Sequence, residues 1–362
     1  MSLRSEKIFC LLFLFFSLHL IADPSTEQKL AQLLFSYVDG PGVSDETRRL
    51  FMAVDLGGVI LYESTNGLQD PAQVRSLCEE LQALSDGLLI GIDQEGGRVS
   101  HLKGAFPSFP DNASVAATGD PCRVYNVASA IAAELKATGI HVNFAPVADV
   151  NCNPANPVIG TRAFGSDPEL VSRFVQEALH AYSDAGIIAC LKHFPGHGDV
   201  TVDSHHGLPV VQKSREELEA MEFIPFESSL TDSPMVMTAH VVYTALDGSR
   251  CATLSRPIIQ DLLRGEMGYD GVVVSDSLRM QGVLDQAGSI QEAAIQALNA
   301  GCDLLMLGGR MLTRLCSEKE NVDEVIAVHQ ALVDAERSGR ISVQRIDEAY
   351  GRVLRLKQGM KQ

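Results

Sequence analysis

Eight short apolar runs, each followed by a helical pattern, constrain this chain more than any other feature. They are QLLFSYVD around 33–39, GGVILYE at 57–63, LLIGIDQE at 88–95, VNFAPVADV at 142–150, IIACLKHF at 187–194, MVMTAHV at 235–241, GVVVSD at 271–276 and DLLMLGG at 303–309. Several lack polar alternation, as expected of parallel strands buried on both faces. Between them, Asp70-Pro71, Asp120-Pro121 and Asp167-Pro168 each set a capping carboxylate before a proline suited to a first helical turn. Ser214 and Glu217 have the spacing of a capping box. Strands alternating with helices predict a parallel α/β protein. A doubly wound sheet would concentrate its site at one switch point. Here Asp93, Asp149, Lys192, His193, His240 and Asp276 close several different runs, as when all strand ends ring one mouth. No G-x-G-x-x-G follows the first run, and no linker divides the chain. The expectation is a single-domain TIM-type (β/α)₈ barrel over residues 23–362.

Residues 1–22 are of another kind. Arg4 and Lys7 precede the apolar run FCLLFLFFSLHLIA, and the small Ala22 is followed by polar residues. This pattern predicts a secretory signal peptide cut near Ala22–Asp23, and hence an exported or periplasmic protein. An uncleaved anchor and a cytoplasmic location are the rival readings. The mature part has no stretch apolar enough to span a bilayer. The net charge of −17 argues against a nucleic-acid partner, which needs a basic stripe. Of the eight cysteines, Cys10 lies in the leader. The other seven are scattered without a C-x-x-C, which predicts that most are core-filling thiols and that neither a disulfide framework nor a zinc cage forms.

The densest chemistry lies in KHFPGHGDVTVDSHHGLP, Lys192 to Pro209, which holds His193, His197, His205, His206, Asp199 and Asp203. Gly196 and Gly198 signal a demanding backbone path at a strand end. A metal site is one reading of so many His and Asp residues. Against it, Lys192 adjoins His193, and no zinc-ligand spacing occurs. In another reading Asp203 orients the His205 imidazole, fixing its tautomer for acid/base work. Asp276 closes the run GVVVSD, either as a cap for the following helix or as a nucleophile on a rigid strand end. Asp93 has the same two readings. Glu95-Gly96-Gly97-Arg98 predicts a tight turn with local ion pairing.

Taken together, DQEGGRV (93–99), NFAPVADV (143–150), GTRAFGSD (160–167), KHFPGHG (192–198), DSHHGLP (203–209), TAHVVY (238–243) and VVSDSLRM (273–280) resemble the β-N-acetylhexosaminidases of glycoside hydrolase family 3. The matches run in order from about residue 30 to 310. The resemblance implies a TIM-type barrel without the second sheet domain of many β-glucosidases in the family. It implies Asp276 as the nucleophile and His205, paired with Asp203, as the acid/base. It also implies Asp93, Arg162, Lys192 and His193 as groups that hold the sugar hydroxyls. His101 stands where family members usually carry an Arg, and Ser277 where many carry a second Asp. The His101 change bears on one substrate contact.

The function expected is a retaining exo-β-N-acetylglucosaminidase acting on peptidoglycan-derived muropeptides or disaccharides, with neither cofactor nor metal. The alternatives are another β-glycosidase or phosphorylase of the same fold, a metal-dependent barrel hydrolase using His193, His197 and His205, or a non-catalytic sugar-binding protein. The chain has no Trp, which favours a site of hydrogen bonds and charges gripping one terminal sugar. The expected partner is a small carbohydrate, and the expected state a monomer.

Overall fold

All eight apolar runs become the strands of one parallel barrel in the computed structural model, which describes residues 23–205, 207–309 and 317–359. The predicted leader at 1–22, with Cys10, lies outside the described residues, as do His206 and Cys316. The strands are β1 Leu34–Tyr37, β2 Gly58–Leu61, β3 Leu89–Ile92, β4 Val142–Asn143, β5 Ile188–Phe194, β6 Met235–Thr238, β7 Val272–Ser275 and β8 Leu305–Leu307. From β1 to β7 each strand pairs in parallel with the next, and β8 returns to β1 through the register Leu34 to Leu305. A single bridge between Val274 and Leu304 closes the remaining seam, between β7 and β8.

Helices follow each strand on the outside, as the capping signals require. Asp70, Asp120 and Asp167 cap the helices Pro71–Gln82, Pro121–Thr138 and Pro168–Ala185, each with Pro in the first turn. Ser214 and Glu217 form a reciprocal capping box on the short helix Arg215–Glu219. The fourth run is paired for less of its length than its apolarity suggests. Only Val142 and Asn143 form the strand, because Pro146 lacks a ladder donor. Beyond it the backbone still touches β5, with the Ala148 amide donating to the Lys192 carbonyl at 2.6 Å.

The barrel interior is filled by side chains. Phe35 and Phe144 meet edge to face at 5.4 Å between centroids. Two strand glycines make the room. A Cβ on Gly58 would fall 2.2 Å from the Phe35 ring, and one on Gly91 would fall 2.8 Å from that of Phe144. Among the described cysteines, Cys78, Cys190, Cys251 and Cys302 are buried as expected. Cys122 is exposed and Cys152 only partly buried, so most but not all of the described thiols fill the core.

One buried carboxylate reinforces the β7–β8 seam beside its backbone hydrogen bonds. Asp303 is fully buried, accepts the Val273 amide at 3.0 Å, and pairs with Arg264 at 2.6 Å and Arg345 at 2.7 Å. Arg345 reaches it from the C-terminal helix Val343–Gly359, so that helix is tied to the base of the barrel. Removing one partner of a buried ion network leaves uncompensated charge. Asp303→Ala is therefore expected to destabilise the fold by roughly 3–5 kcal/mol in urea unfolding. A midpoint equal to wild type would show that backbone pairing alone closes the seam.

Candidate active site

Strand ends build the floor of the site. Lys192 and His193 lie on β5, Asp276 follows β7 directly, and Asp93 and Glu95 follow β3. Between Lys192 and Phe194 the pairing of β5 with β6 shifts register. Such an irregularity at a barrel rim re-aims side chains. The result is a cavity of about 300 Å³ at the C-terminal mouth, lined by Asp93, His101, Arg162, Lys192, His193, His205 and Asp276 among others. The site residues expected from sequence thus converge, with Asp203 standing directly behind His205.

Alternating charges make this floor stable. The Lys192 ammonium sits 2.6 Å from Asp93 and 2.7 Å from Glu95. Glu95 in turn receives two hydrogen bonds from Arg162, at 2.8 and 2.9 Å. Burial raises the Glu95 carboxyl, but the Arg162 and Lys192 cations outweigh it and hold it well below the usual range. Lys192 is likewise penalised by burial and kept charged by Asp93 and Glu95. Glu95 was expected to pair locally with Arg98. It reaches across the barrel instead, while Arg98 donates to the Val158 carbonyl, because the two loop glycines turn the chain back before the arginine.

The histidines are individually oriented. His193 donates Nδ1–H to Asp149 at 2.7 Å, which turns its Nε2 toward Arg162 Nη2 at 3.5 Å. Asp149 is fully buried. Burial raises its carboxyl, but His193 and His197 outweigh this and hold it below the usual range, so it stays an acceptor. His197 turns Nε2 to Ser204 Oγ at 3.1 Å, and burial together with His193 drops its pKa to about 4. The three rings of the metal reading, His193, His197 and His205, do not gather as a ligand set among the described residues. His240 is held between Thr253 Oγ1 and the Ser277 carbonyl, at 2.8 and 2.9 Å.

The loop between β5 and the short strand Val210–Val211 turns back as the dyad reading requires. Asp203 Oδ1 accepts both the amide of His205, at 2.9 Å, and its Nδ1–H, at 2.7 Å. The double contact fixes the ring and leaves Nε2 available to the cavity. His205 is the more open member of the site, 38% exposed in its side chain.

Asp276 does not cap the following helix, which starts at Gln281 behind Met280. Its Oδ1 accepts the Ser277 amide at 2.7 Å, and its carboxylate lines the cavity. Burial raises this carboxyl, but His240, His193 and His205 and the Ser277 amide carry it down to about 2. Ser277 anchors the segment by donating to the Gly308 carbonyl at 2.5 Å. Arg279, buried, donates to the Leu307 carbonyl at 3.0 Å and to Asn321 at 2.7 Å.

His101 lines the cavity and packs edge-on to Tyr62, with centroids 5.2 Å apart. Burial lowers its pKa, so at neutral pH an uncharged ring stands where the family usually has a cation. Sequence reasoning did not assign Glu95, Asp149, His240 or Tyr62 to the site. Asp149 and His240 carried a signal, being polar at the ends of apolar runs. Nothing in sequence names their partners.

These features define the class: a (β/α)₈ barrel whose mouth sets a carboxylate-backed imidazole beside a buried carboxylate and a floor of paired charges. Residues 25–356 match the glycosyl hydrolase family 3 N-terminal domain, and the chain belongs to that family. It is 38% identical over 343 residues to a β-hexosaminidase A of Pseudoalteromonas piscicida, covering 88% of this chain and 56% of that protein. It is 39% identical over 298 residues to a β-hexosaminidase of Thiobacillus denitrificans, covering 80% and 79%. The fold is similar to that of a family 3 β-N-acetylglucosaminidase from Paenibacillus, with a TM-score of 0.87 and 43% identity over 94% of this chain and 63% of the other. The chain thus spans little more than half the length of the Pseudoalteromonas relative.

The Asp276 shift has a pH signature. Its folded pKa of about 2 lies below the free value of ~3.9, so ionisation stabilises the fold above that free value. The contribution is lost as pH falls through the folded value. Asp276→Asn is expected to flatten the acid limb of the stability curve between about pH 4 and pH 2. An identical limb in the variant would mean the carboxylate is not held anionic.

Proposed function

We propose that this chain is a retaining exo-β-N-acetylglucosaminidase that removes terminal N-acetylglucosamine from peptidoglycan-derived muropeptides or disaccharides. One observation carries the reading: Asp276 on a strand end and the Asp203-backed His205 on a loop meet at one small cavity. The names of the Pseudoalteromonas and Paenibacillus relatives support the sugar. The cavity is at the small end of ligand pockets, which suits a single terminal ring.

In this reading the ionised Asp276 attacks the anomeric carbon as His205 gives its Nε2 proton to the departing oxygen. The Nδ1–H stays donated to Asp203 throughout, so each loss of the Nε2 proton leaves the same tautomer. His205, now neutral, takes a proton from the water that cleaves the glycosyl-enzyme. Asp93, Lys192, Arg162 and His193 hold the ring hydroxyls. Val158, Met237 and Met306 offer an apolar wall for the acetamido methyl. The 1–22 leader would carry the enzyme out of the cytoplasm, to wall material itself. No described helix is long and apolar enough to cross a membrane.

The test is nitrophenol release from p-nitrophenyl N-acetyl-β-glucosaminide, with a strong chelator present. Wild type is expected to turn over, and Asp276→Ala to lose about three orders of magnitude or more in kcat. Cleavage of the matching β-glucoside alone would overturn the sugar assignment. An Asp276→Ala variant as active as wild type would overturn the mechanism.

A further inference from the structure

Beneath the acid/base loop lies a second charged cluster that takes no part in holding sugar. Ligand-type atoms of Cys152, Asp199 and Glu222 converge within 4.8 Å of one another, close enough to surround a cation. The Lys213 ammonium is that cation. It contacts Glu222, reaches Asp199 at 3.4 Å, and lies 3.4 Å from Cys152 Sγ. Glu222 is only 1% exposed, and its second oxygen has no hydrogen-bond partner.

The chain positions of these residues give the cluster its meaning. Asp199 is on the outgoing arm of the loop, just before the Asp203–His205 dyad. Lys213 is on the return arm, just past the strand Val210–Val211. Glu222 packs under the loop entrance, where a Cβ on Gly196 would fall 2.7 Å from Glu222 Cγ. Cys152 follows Val150, whose carbonyl would clash at 1.7 Å with a Cβ on Gly198. One ammonium therefore joins both arms of the loop to the fixed segment after β4. The other restraints on the described part of the loop are neutral or local hydrogen bonds, among them His197 to Ser204, Asn156 Nδ2 to the carbonyls of His197 and Gly198, Asn153 Nδ2 to the Val200 carbonyl, and the Gly282 amide to the Ser204 carbonyl.

We propose that Lys213 is a positioning residue for catalysis, clamping the two arms of the loop so that His205 Nε2 is presented to the leaving oxygen. The inference rests on the acid/base reading of His205. Lys213 touches neither sugar nor reacting atoms, and acts through loop geometry. Loss of the clamp lets the dyad wander while Asp276 and the hydroxyl-binding floor stay in place.

That separation gives a specific readout. Proton donation matters most for a poor leaving group and little for a good one. The experiment compares kcat/KM, which covers steps up to glycosidic cleavage, for phenyl and 2,4-dinitrophenyl N-acetyl-β-glucosaminides. Lys213→Met is expected to lose about 10- to 100-fold on the phenyl glycoside and less than about threefold on the dinitrophenyl one. Lys213→Arg should restore most of the phenyl rate, since a guanidinium also bridges carboxylates. The retained dinitrophenyl rate shows that the variant is folded. Equal losses on both substrates, or none on either, would overturn the clamp. His205→Ala on the same pair separates the two readings. A selective loss on the phenyl glycoside upholds His205 as acid, whatever Lys213 does. A uniform loss would overturn that assignment and the clamp with it.

Discussion

The carboxylate of Asp303 is the constraint on which the rest of the structure depends. A parallel barrel has no edge only when its last seam closes, and here that seam has one bridge, from Val274 to Leu304, with backbone bonds from the Asp303 and Leu304 amides to the Val273 carbonyl and from the Ser275 amide to the Leu304 carbonyl. Asp303 supplements it by accepting the Val273 amide and drawing Arg264 and Arg345 into the barrel base. Each charge is costly to bury alone, and together they stand only as a set. The consequence appears at the other end of the same strand. β7 carries Asp276, so the position of the proposed nucleophile inherits the rigidity of the seam.

The site divides between a buried floor of paired charges and a more exposed loop. Its floor is a chain of alternating charges, Asp93, Lys192, Glu95 and Arg162, in which every cation touches a carboxylate. Such a chain tolerates burial because no member is left unpaired, and it leaves directed donors and acceptors around a ring-sized space. His193 and Asp276 belong to this rigid part, with Asp149 and Ser277 as their anchors. The proposed acid/base group, His205, sits on the loop, held locally by Asp203, with the Lys213–Asp199 pair further along the same loop. A nucleophile must be held for in-line attack, while a proton shuttle must serve leaving group and water in turn.

Much of this was legible in the residues. Each of the eight apolar runs became a barrel strand, since a stretch buried on both faces must be apolar throughout. The Asp-Pro pairs marked three helix starts because capping is a local interaction of neighbours in sequence. The Asp203–His205 pairing was legible for the same reason, lying within a short turn. The extent of the fourth strand was misjudged because apolarity does not register a missing proline donor at Pro146.

Sequence by itself determined the element order, the barrel class and the residue types at the mouth, because patterning and capping act over a few residues. Only the tertiary structure decided the partners: Glu95 with Lys192 and Arg162 and not Arg98, Asp149 with His193, Asp303 with Arg345, Lys213 with Asp199 and Glu222. The physical reason is distance along the chain. A buried charge pairs with whatever opposite charge the closed barrel brings within reach, and closure is a property of all eight strands at once.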